Sequence, residues 1–318
     1  MDKRWDGRPT LSIIVPVHDE EENILPLYHK IRNGCDPLGR SYEIVYVDDG
    51  SRDRTFEILE GIHEQDPRVQ VIRFRKNYGQ TAAMAAGFQY AQGKIILSMD
   101  GDLQNDPADI PRLLAKLEEG YDVVCGWRKE RKDHLLSRRV PSVIANWLIG
   151  KITRVPIHDN GCSLKAYRAS VIKNVALYSE MHRFIPAMST IVGARIAEVV
   201  VRHHPRHFGK SKYGIGRVWR VVLDVMNVKM ITGFAARPAL CFGFLSVPCI
   251  ILGLSALCVA GGMYYHHLLR AWMVMSTVAF LFFFLGAHLL TMGVIGELSM
   301  KTGDYRPTKS VHPTVTVL

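Results

Sequence analysis

The chain has 318 residues, of which 48% are hydrophobic, a formal net charge of +10 and an isoelectric point near 9.3. This composition supplies a sizeable core and favours an anionic partner, namely a nucleic acid, a phosphate-bearing substrate or a membrane surface. Six cysteines without CxxC or zinc spacing argue against a disulfide framework and fit a reducing compartment. The polar first residues predict no cleaved signal peptide.

Up to about residue 215 the sequence alternates short apolar runs with amphipathic segments. The runs predict strands and the amphipathic segments predict helices. In chain order these are the strand 11–17, the helix 18–33, the strand 42–47, the helix 54–64, the strand 69–74, the helix 80–92 and the strand 94–99. Repeated strand-then-helix units predict an α/β domain with a mostly parallel sheet and helices on both faces. The first strand is not followed by the Gly-x-Gly-x-x-Gly dinucleotide fingerprint.

Acidic residues follow the ends of these strands, and we expect them to meet at the edge of the sheet where open α/β sheets hold their ligands. The turn Asp100-Gly101-Asp102-Leu103-Gln104 combines two carboxylates with an amide. These oxygen ligands suit a hard divalent cation bound to a diphosphate. Taken alone, the same pattern is more often a solvated Asp-Gly turn. The other acids at this edge are Glu20, Asp48 and Asp49.

The middle of the chain supplies positive charge. Cations cluster at 128–132, at 138–139 and within 201–213. A charge run is usually a solvated face, which is the better interpretation for 129–132. The segment 206–212 instead interleaves its cations with Gly and Ser, as the close approach of a backbone to phosphate requires.

After residue 215 the chain becomes strongly apolar. The segment 215–234 has apolar residues at helical spacing and fits an ordinary surface helix, but its place before an apolar stretch favours an interfacial helix on a membrane. Segments 239–264 and 271–296 each contain no charge over 26 residues. About 20 residues suffice to cross a bilayer, so two transmembrane helices are predicted. Cations flank the outer ends of this pair, which by the positive-inside rule predicts a cytoplasmic catalytic domain and cytoplasmic termini.

The expected organisation therefore has four parts. They are a cytoplasmic domain over 1–214, an amphipathic juxtamembrane helix over 215–236, a two-helix transmembrane hairpin over 237–300 and a cytoplasmic tail over 301–318. Two slender spans would pack better in a homo-oligomer. Residues Gly261, Gly262, Ser276 and His288 suit such a contact, and a lipid-facing position suits them equally.

Three motifs, at 12–24, 47–53 and 100–104, resemble those of inverting GT-A glycosyltransferases. The Leu103-Gln104 pair, together with residues 159–163 and 206–212, narrows the resemblance to polyprenyl-phosphate glycosyltransferases of the dolichyl-phosphate-mannose-synthase-like group. The two C-terminal spans are similar to those of the bacterial bactoprenol glucosyltransferases. The resemblance covers nearly the whole chain. It implies a GT-A fold in an inner-membrane enzyme that transfers glucose from UDP-glucose to undecaprenyl phosphate.

The resemblance also implies roles for individual residues. The metal, Mg²⁺ or Mn²⁺, would be held against the donor diphosphate by Asp100, Asp102 and Gln104. The donor nucleoside would be held by Pro16, Glu20, Asp48 and Asp49. The acceptor phosphate and the loop that closes over it would involve Arg128, Arg138, Ser142, Arg206, Lys210 and Lys212. Catalysis would centre on Asp100, Asp102 and Arg128, with Asp159 as an acid on the acceptor side.

The chemistry of the acceptor agrees with this assignment. A phosphate monoester has a second pKa near 6 and is largely a dianion at neutral pH, so it needs cations more than a strong base. A base at Asp159 is allowed but not required. One in-line displacement would invert the anomeric carbon.

Other readings of the sequence stay open. GDP-mannose, UDP-galactose, UDP-aminoarabinose and N-acetylhexosamine donors remain alternatives. Processive polysaccharide synthases carry a Gln-x-x-Arg-Trp motif, and this sequence does not contain it. The intact acids disfavour a non-catalytic scaffold. The cations beside the spans disfavour a nucleic-acid partner, because anionic lipid accounts for them more simply.

Overall fold

The computed structural model describes residues 9–129, 150, 155, 157–175, 177, 181–205, 238–302 and 315–317. These residues fall into two compact units, one within 1–228 and 309–318 and the other within 229–308. Several predicted features lie outside the described residues. They are Arg138, Ser142, Arg206, Lys210, Lys212 and the juxtamembrane segment 215–236.

The first unit is built on one sheet. Its elements in chain order are β1 (Leu11–Val17), α1 (Glu21–Cys35), β2 (Tyr42–Asp48), α2 (Thr55–Gln65), β3 (Val69–Phe74), α3 (Gln80–Tyr90), β4 (Ile95–Ser98), α4 (Ile110–Glu118), β5 (Val123–Trp127), β6 (Lys165–Arg168), α5 (Ala169–Ile172), α6 (Ile185–Ile191), β7 (Ile196–Val200) and β8 (Val315–Val317). Short 3₁₀ turns occupy Asp36–Leu38, Pro107–Asp109 and Met181–Phe184. Among the described residues the strand order is β7-β5-β6-β4-β1-β2-β3-β8.

Strands β3, β2, β1 and β4 run parallel, as predicted from the repeated strand-then-helix pattern. Every residue of β1 and β2 is buried. Mostly apolar, fully buried runs of this kind are typical of parallel strands that helices cover on both faces. Strand β6 is antiparallel to β4 and β5, and β8 is antiparallel to β3. The sheet is therefore mostly parallel and belongs to an α/β fold.

The helices pack on this sheet through apolar stripes. In α1 the buried side chains include Ile24, Leu27 and Ile31, which lie on one face of the helix. Acids occupy its first turn, where they complement the helix dipole. The helix begins at Glu21 rather than at the predicted His18, because Asp19 has a φ of 52° and cannot be helical.

The strand order reverses at β1, and this reversal fixes the ligand edge. Strands β2 and β3 lie on one side of β1, and β4 lies on the other. Ligands of open α/β sheets bind outside the carboxyl ends of the strands at such a reversal. The segments that leave β1, β2 and β4 there are His18-Asp19, Asp48-Asp49 and Met99-Asp100.

The second unit contains two long apolar helices, α7 (Pro238–Tyr265) and α8 (Leu269–Thr302). Within the described residues these are the two helices long and apolar enough to cross a membrane. Small residues line their mutual contact: a Cβ on Gly253 would lie 3.2 Å from Phe283, and one on Gly286 would lie 3.2 Å from Ile250. A Cβ on Gly261 or Gly262 would meet nothing described within 4 Å, so these two glycines take no part in the contact.

Candidate active site at the carboxyl edge of the sheet

The acidic turn after β4 packs tightly against the end of β1. Met99 N donates to Ile14 O at 3.1 Å, which carries the parallel pairing past the end of β4. A Cβ on Gly101 would lie 2.8 Å from Val17 Cγ1. Only glycine therefore allows the turn to approach β1 this closely. Asp100 is half-buried and Asp102 is buried, so the turn is not a solvated loop.

The same turn contains a strained residue. Leu103 has a φ of 62°, a left-handed conformation that costs a non-glycine residue roughly 1–2 kcal/mol. Its side chain is buried in the main apolar core, which offsets this cost. The turn brings Gln104 N to 3.2 Å from Asp102 Oδ1. Strain of this kind is concentrated at functional sites, where surrounding packing maintains it.

Asp100 is held by α3. Gln80 Nε2 donates to Asp100 Oδ1 at 2.7 Å, and Gln80 is the first residue of α3. The preceding Gly79 has a φ of 92°, which sets the entry of this helix. Burial and the neighbouring Asp102 charge raise the pKa of Asp100, whereas a hydrogen bond from Ser163 and the cations of Arg128 and Lys165 act in the opposite direction. Nothing in the sequence marks Gln80 as a site residue beyond its place after a glycine.

The acids after β2 support the loops around them. Asp49 accepts hydrogen bonds from Tyr78 N at 2.7 Å and Gly79 N at 2.8 Å, so it fixes the loop that leads into α3. Burial raises the pKa of Asp49 although these two N–H groups lower it. Asp48 is buried, accepts from Ser51 N at 2.9 Å and lies 3.6 Å from Arg73 Nε.

Two further residues predicted for the nucleoside site lie at the same edge. Pro16 is in β1, and its carbonyl oxygen faces the Gly101 turn. Glu20 precedes α1, and its backbone N donates to Thr55 Oγ1 at 2.9 Å. The four predicted nucleoside residues, Pro16, Glu20, Asp48 and Asp49, therefore come from the ends of β1 and β2.

Arg128 and Asp159, which the resemblance places on the acceptor side in separate roles, form one buried ion pair. Arg128 Nε lies 2.7 Å from Asp159 Oδ2, and Arg128 Nη2 lies 2.9 Å from Asp159 Oδ1. The two side chains are 14% and 4% exposed. Burial alone would lower the pKa of Arg128, but the contact with Asp159 outweighs it and raises that pKa above its usual range. Such a bidentate pair is strong and fixed in orientation.

The loop 159–163 is anchored by a buried lysine that the sequence analysis did not single out. Lys165, the first residue of β6, is 3% exposed. Its Nζ donates to Asn160 O at 3.2 Å and also to Cys162 O. On the far side of the loop, Ser163 O accepts from Ser98 Oγ at 2.7 Å. The apolar neighbours of Lys165 in the sequence concealed this role.

The chain after β7 closes the other flank of the turn. His204 N donates to Gln104 O at 2.9 Å, and a β-bridge joins His203 to Asn105. Arg202 Nε lies 3.2 Å from Asp106 Oδ2 and 3.4 Å from Asp109 Oδ1. Arg202, part of the predicted basic segment, is thus engaged with carboxylates in this structure.

The acidic turn fits a divalent cation. Asp100 and Asp102 are two adjacent carboxylates, while Arg128 is paired with Asp159 and Lys165 donates to backbone carbonyls. The described residues contain no group of three or more His, Cys, Asp or Glu side chains suited to a metal. A cation held by two carboxylates would complete its coordination shell with amide, phosphate and water oxygens, which are the ligands that Mg²⁺ usually takes. The residues present match that donor set.

Comparisons with known proteins agree with this geometry. The profile described as "Glycosyl transferase family 2" matches residues 12–176. A dodecaprenyl-phosphate galacturonate synthase of Rhizobium johnstonii (strain DSM 114642 / LMG 32736 / 3841) is 46% identical over 251 residues, 78% of this chain and 73% of that protein. An undecaprenyl-phosphate 4-deoxy-4-formamido-L-arabinose transferase of Edwardsiella ictaluri (strain 93-146) is 36% identical over 288 residues, 90% of this chain and 87% of that protein.

A solved structure shares the fold. Glucosyl-3-phosphoglycerate synthase from Mycobacterium tuberculosis, in complex with Mn²⁺, uridine diphosphate and glucosyl-3-phosphoglycerate, superposes with a TM-score of 0.53 at 18% identity. The match covers 70% of this chain and 80% of that one. At this identity the likeness concerns the fold alone, and it confirms the predicted GT-A architecture.

Proposed function

The chain belongs to glycosyl transferase family 2, and from this premise we propose that it transfers a galacturonate residue from a nucleotide donor to polyprenyl phosphate. It is a glycosyltransferase that acts on polyprenyl phosphate, as are its relatives from Rhizobium johnstonii and Edwardsiella ictaluri. The observation that carries the proposal is the acidic turn, where Asp100 lies close enough to Arg128 for that guanidinium to lower the pKa of Asp100, while Arg128 is paired with Asp159.

The sugar is the finer part of the proposal. The relatives' names carry galacturonate and 4-deoxy-4-formamido-L-arabinose, and neither carries glucose. The 46% identity to the galacturonate enzyme exceeds the 36% identity to the arabinose enzyme. We therefore propose galacturonate as the transferred sugar, in place of the glucose that the subgroup resemblance implied. We propose UDP as the nucleotide that carries it.

The roles of the site residues follow from their positions. Asp100 and Asp102 would hold the divalent cation, with Gln104 as a further oxygen ligand. The cation would neutralise charge on the departing diphosphate. Gln80 and Ser163 fix the Asp100 carboxylate, so the protein orients the acid before the donor binds. The proposed donor-nucleoside residues are Pro16, Glu20, Asp48 and Asp49, and the proposed acceptor-phosphate residues are Arg128, Arg138, Ser142, Arg206, Lys210 and Lys212.

The membrane arrangement supports a lipid acceptor. Helices α7 and α8 are long and apolar enough to cross a bilayer, and we propose that they anchor the enzyme in the inner membrane. Segments 239–264 and 271–296 within them contain no charged residue. The cations flanking the pair favour a cytoplasmic catalytic unit and cytoplasmic termini. Labelling of single-cysteine variants with a membrane-impermeant thiol reagent in intact cells tests this topology. His266→Cys, between the two spans, should react, and Gln89→Cys, in the catalytic unit, should not. Reaction of Gln89→Cys without reaction of His266→Cys would contradict the proposed topology and indicate the opposite orientation.

One assay tests the transfer reaction. Full-length enzyme in detergent is mixed with undecaprenyl phosphate, Mg²⁺ or Mn²⁺ and radiolabelled UDP-galacturonate, UDP-glucose, UDP-galactose or GDP-mannose. We expect label from UDP-galacturonate to enter the solvent-extractable lipid fraction and to disappear when the metal is chelated. Preference for UDP-glucose would restore the donor implied by the resemblance and contradict the galacturonate proposal.

Asp102→Asn tests the proposed metal site with a side chain of nearly the same size. It preserves the shape of the turn but removes a charge, so we expect transfer to fall by at least about 100-fold, as for loss of one charge-stabilising group in an active site. Gel filtration and thermal melting of the same preparation report folding. A fully active Asp102→Asn enzyme would refute the proposed metal site.

A further inference from the structure

Asn160 carries a buried polar group that the fold leaves unused. The residue is 3% exposed. Its side-chain Nδ2 is buried and donates no hydrogen bond to any acceptor in the described part of the chain. A buried donor left unpaired costs about 1–3 kcal/mol, and native proteins keep few such groups.

The backbone around Asn160 is held by neighbouring contacts, which fix the place of the residue in the loop. Asn160 O and Cys162 O accept from Lys165 Nζ. The preceding Asp159 is fixed by its bidentate contact with Arg128. The following Gly161 packs so closely that a Cβ there would lie 3.3 Å from Arg128 Nη2. A donor that is both rigid and unpaired is a feature of ligand sites, where the ligand supplies the missing acceptor.

The same loop reaches the acidic turn. Ser98, two residues before Asp100, donates its Oγ to Ser163 O at 2.7 Å, and Asn105 Nδ2 donates to Ser163 Oγ at 2.7 Å. Asn160 thus lies in a short loop that contacts residues flanking the acidic turn at one end and Arg128 at the other. The proposed function places the donor diphosphate beside Asp100, so the transferred sugar would occupy the space next to this loop.

We propose that Asn160 is a specificity-determining residue whose Nδ2 donates a hydrogen bond to an oxygen of the transferred sugar. The inference rests on the proposed function, because it takes the sugar donor from there. A site built to hydrogen-bond a substrate group discriminates strongly against analogues that lack the group, since its own polar atom is then left unpaired.

The charge around Asn160 favours a sugar oxygen over the acceptor phosphate as the ligand. The amide is neutral, and the guanidinium of Arg128, which lies beside Gly161, is engaged by Asp159. A phosphate dianion draws most of its binding from cationic side chains, whereas the Asn160 amide offers only neutral N–H groups. A sugar hydroxyl or carboxylate oxygen needs only a well-placed N–H.

The test uses the full-length enzyme and two matched substitutions. Asn160→Leu removes the unpaired amide, and Asn105→Leu removes an amide that is equally buried, at 4% exposure, but is paired with Ser163. Thermal melting without ligand should show the Asn160→Leu protein to be as stable as the wild type or more stable. The Asn105→Leu protein should melt at a lower temperature, because it loses a satisfied hydrogen bond.

Binding and kinetics provide the functional readout. With Mn²⁺ present, UDP should bind wild type and Asn160→Leu equally in calorimetry, whereas the additional affinity for intact UDP-galacturonate should fall about tenfold in the variant. In the transfer assay, kcat/KM for the preferred donor should fall at least about tenfold, while the KM for undecaprenyl phosphate stays unchanged.

The outcomes separate the two proposals. Absence of transfer by the wild type from every donor would reject the proposed function, yet the binding comparison would still decide the role of Asn160. An equal sugar contribution to binding in wild type and Asn160→Leu would overturn the inference. So would a lower melting temperature combined with an equal loss for all donors, which marks a structural role, or an effect confined to the lipid KM, which marks the acceptor side.

Discussion

The Arg128–Asp159 pair should dominate the stability of the site region. Its two contacts of 2.7 and 2.9 Å join side chains that are 14% and 4% exposed, and Asp159 Oδ2 also lies 3.3 Å from Arg128 N. Breaking a buried pair by removing one partner leaves an uncompensated charge and costs about 3–5 kcal/mol. We therefore expect Asp159→Ala and Arg128→Met each to lower the free energy of unfolding by about that amount.

A double-mutant cycle tests whether this loss comes from the pair itself. In Arg128→Met/Asp159→Leu neither charge is left alone, so the double variant should lose less than the sum of the two single variants, with a coupling energy of about 2 kcal/mol. Urea unfolding of the full-length protein in detergent can be followed by tryptophan fluorescence. Trp127, stacked on His158 at 4.4 Å, is a reporter next to the pair.

An exposed ion pair serves as the control. Arg54 and Glu57 lie 3.3 Å apart but are 76% and 70% exposed, so Glu57→Ala should change the free energy of unfolding by no more than about 1 kcal/mol. A loss in Asp159→Ala as small as that in Glu57→Ala would refute the reasoning. Additive losses in the double variant would refute it as well.

Two further predictions concern the acidic turn and the response to acid. Gly101→Ala places a Cβ 2.8 Å from Val17 Cγ1 and should therefore shift the turn. We expect the rate of transfer in initial-rate assays to fall by about 10–100-fold. Gly61→Ala is the control, because a Cβ there meets nothing within 4 Å, and it should leave the rate unchanged. The hydrogen bond from Arg68 lowers the pKa of Asp66 to about 2, so its stabilisation is complete above the unfolded value of about 3.9 and is lost as the pH falls towards 2. Unfolding of wild type and Asp66→Asn between pH 5 and pH 2 checks this, and equal slopes for the two proteins would contradict it.

The sequence alone was sufficient to predict most of the strands and helices and the edge of the sheet at which the candidate site lies. The mostly apolar runs at 11–17, 42–47 and 69–74 became β1, β2 and β3, because parallel strands covered by helices on both faces are rich in apolar residues. The uncharged stretches 239–264 and 271–296 became α7 and α8 for an equally local reason. The acids at 48–49 and 100–102 follow strand ends, and parallel pairing alone brings them to one edge.

Contacts between distant segments could not be predicted in this way. Asp159 pairs with Arg128 across a loop, Gln80 meets Asp100 from another helix, and Lys165 is buried although its residue type favours the surface. Strand β8, from the tail, pairs antiparallel with β3, which the polar composition around it did not indicate. Each contact depends on which strands become neighbours.

The sequence by itself thus determined the fold class, the family, the apolar hairpin and the acidic turn, because periodicity, charge and short motifs are local properties of the chain. Only the tertiary structure decided that Arg128 is engaged by Asp159, that Leu103 is strained and that Asn160 Nδ2 finds no acceptor among the described residues. Pairing and burial arise when segments far apart in the chain pack together. The partner of a charge, or its absence, is therefore a property of the fold.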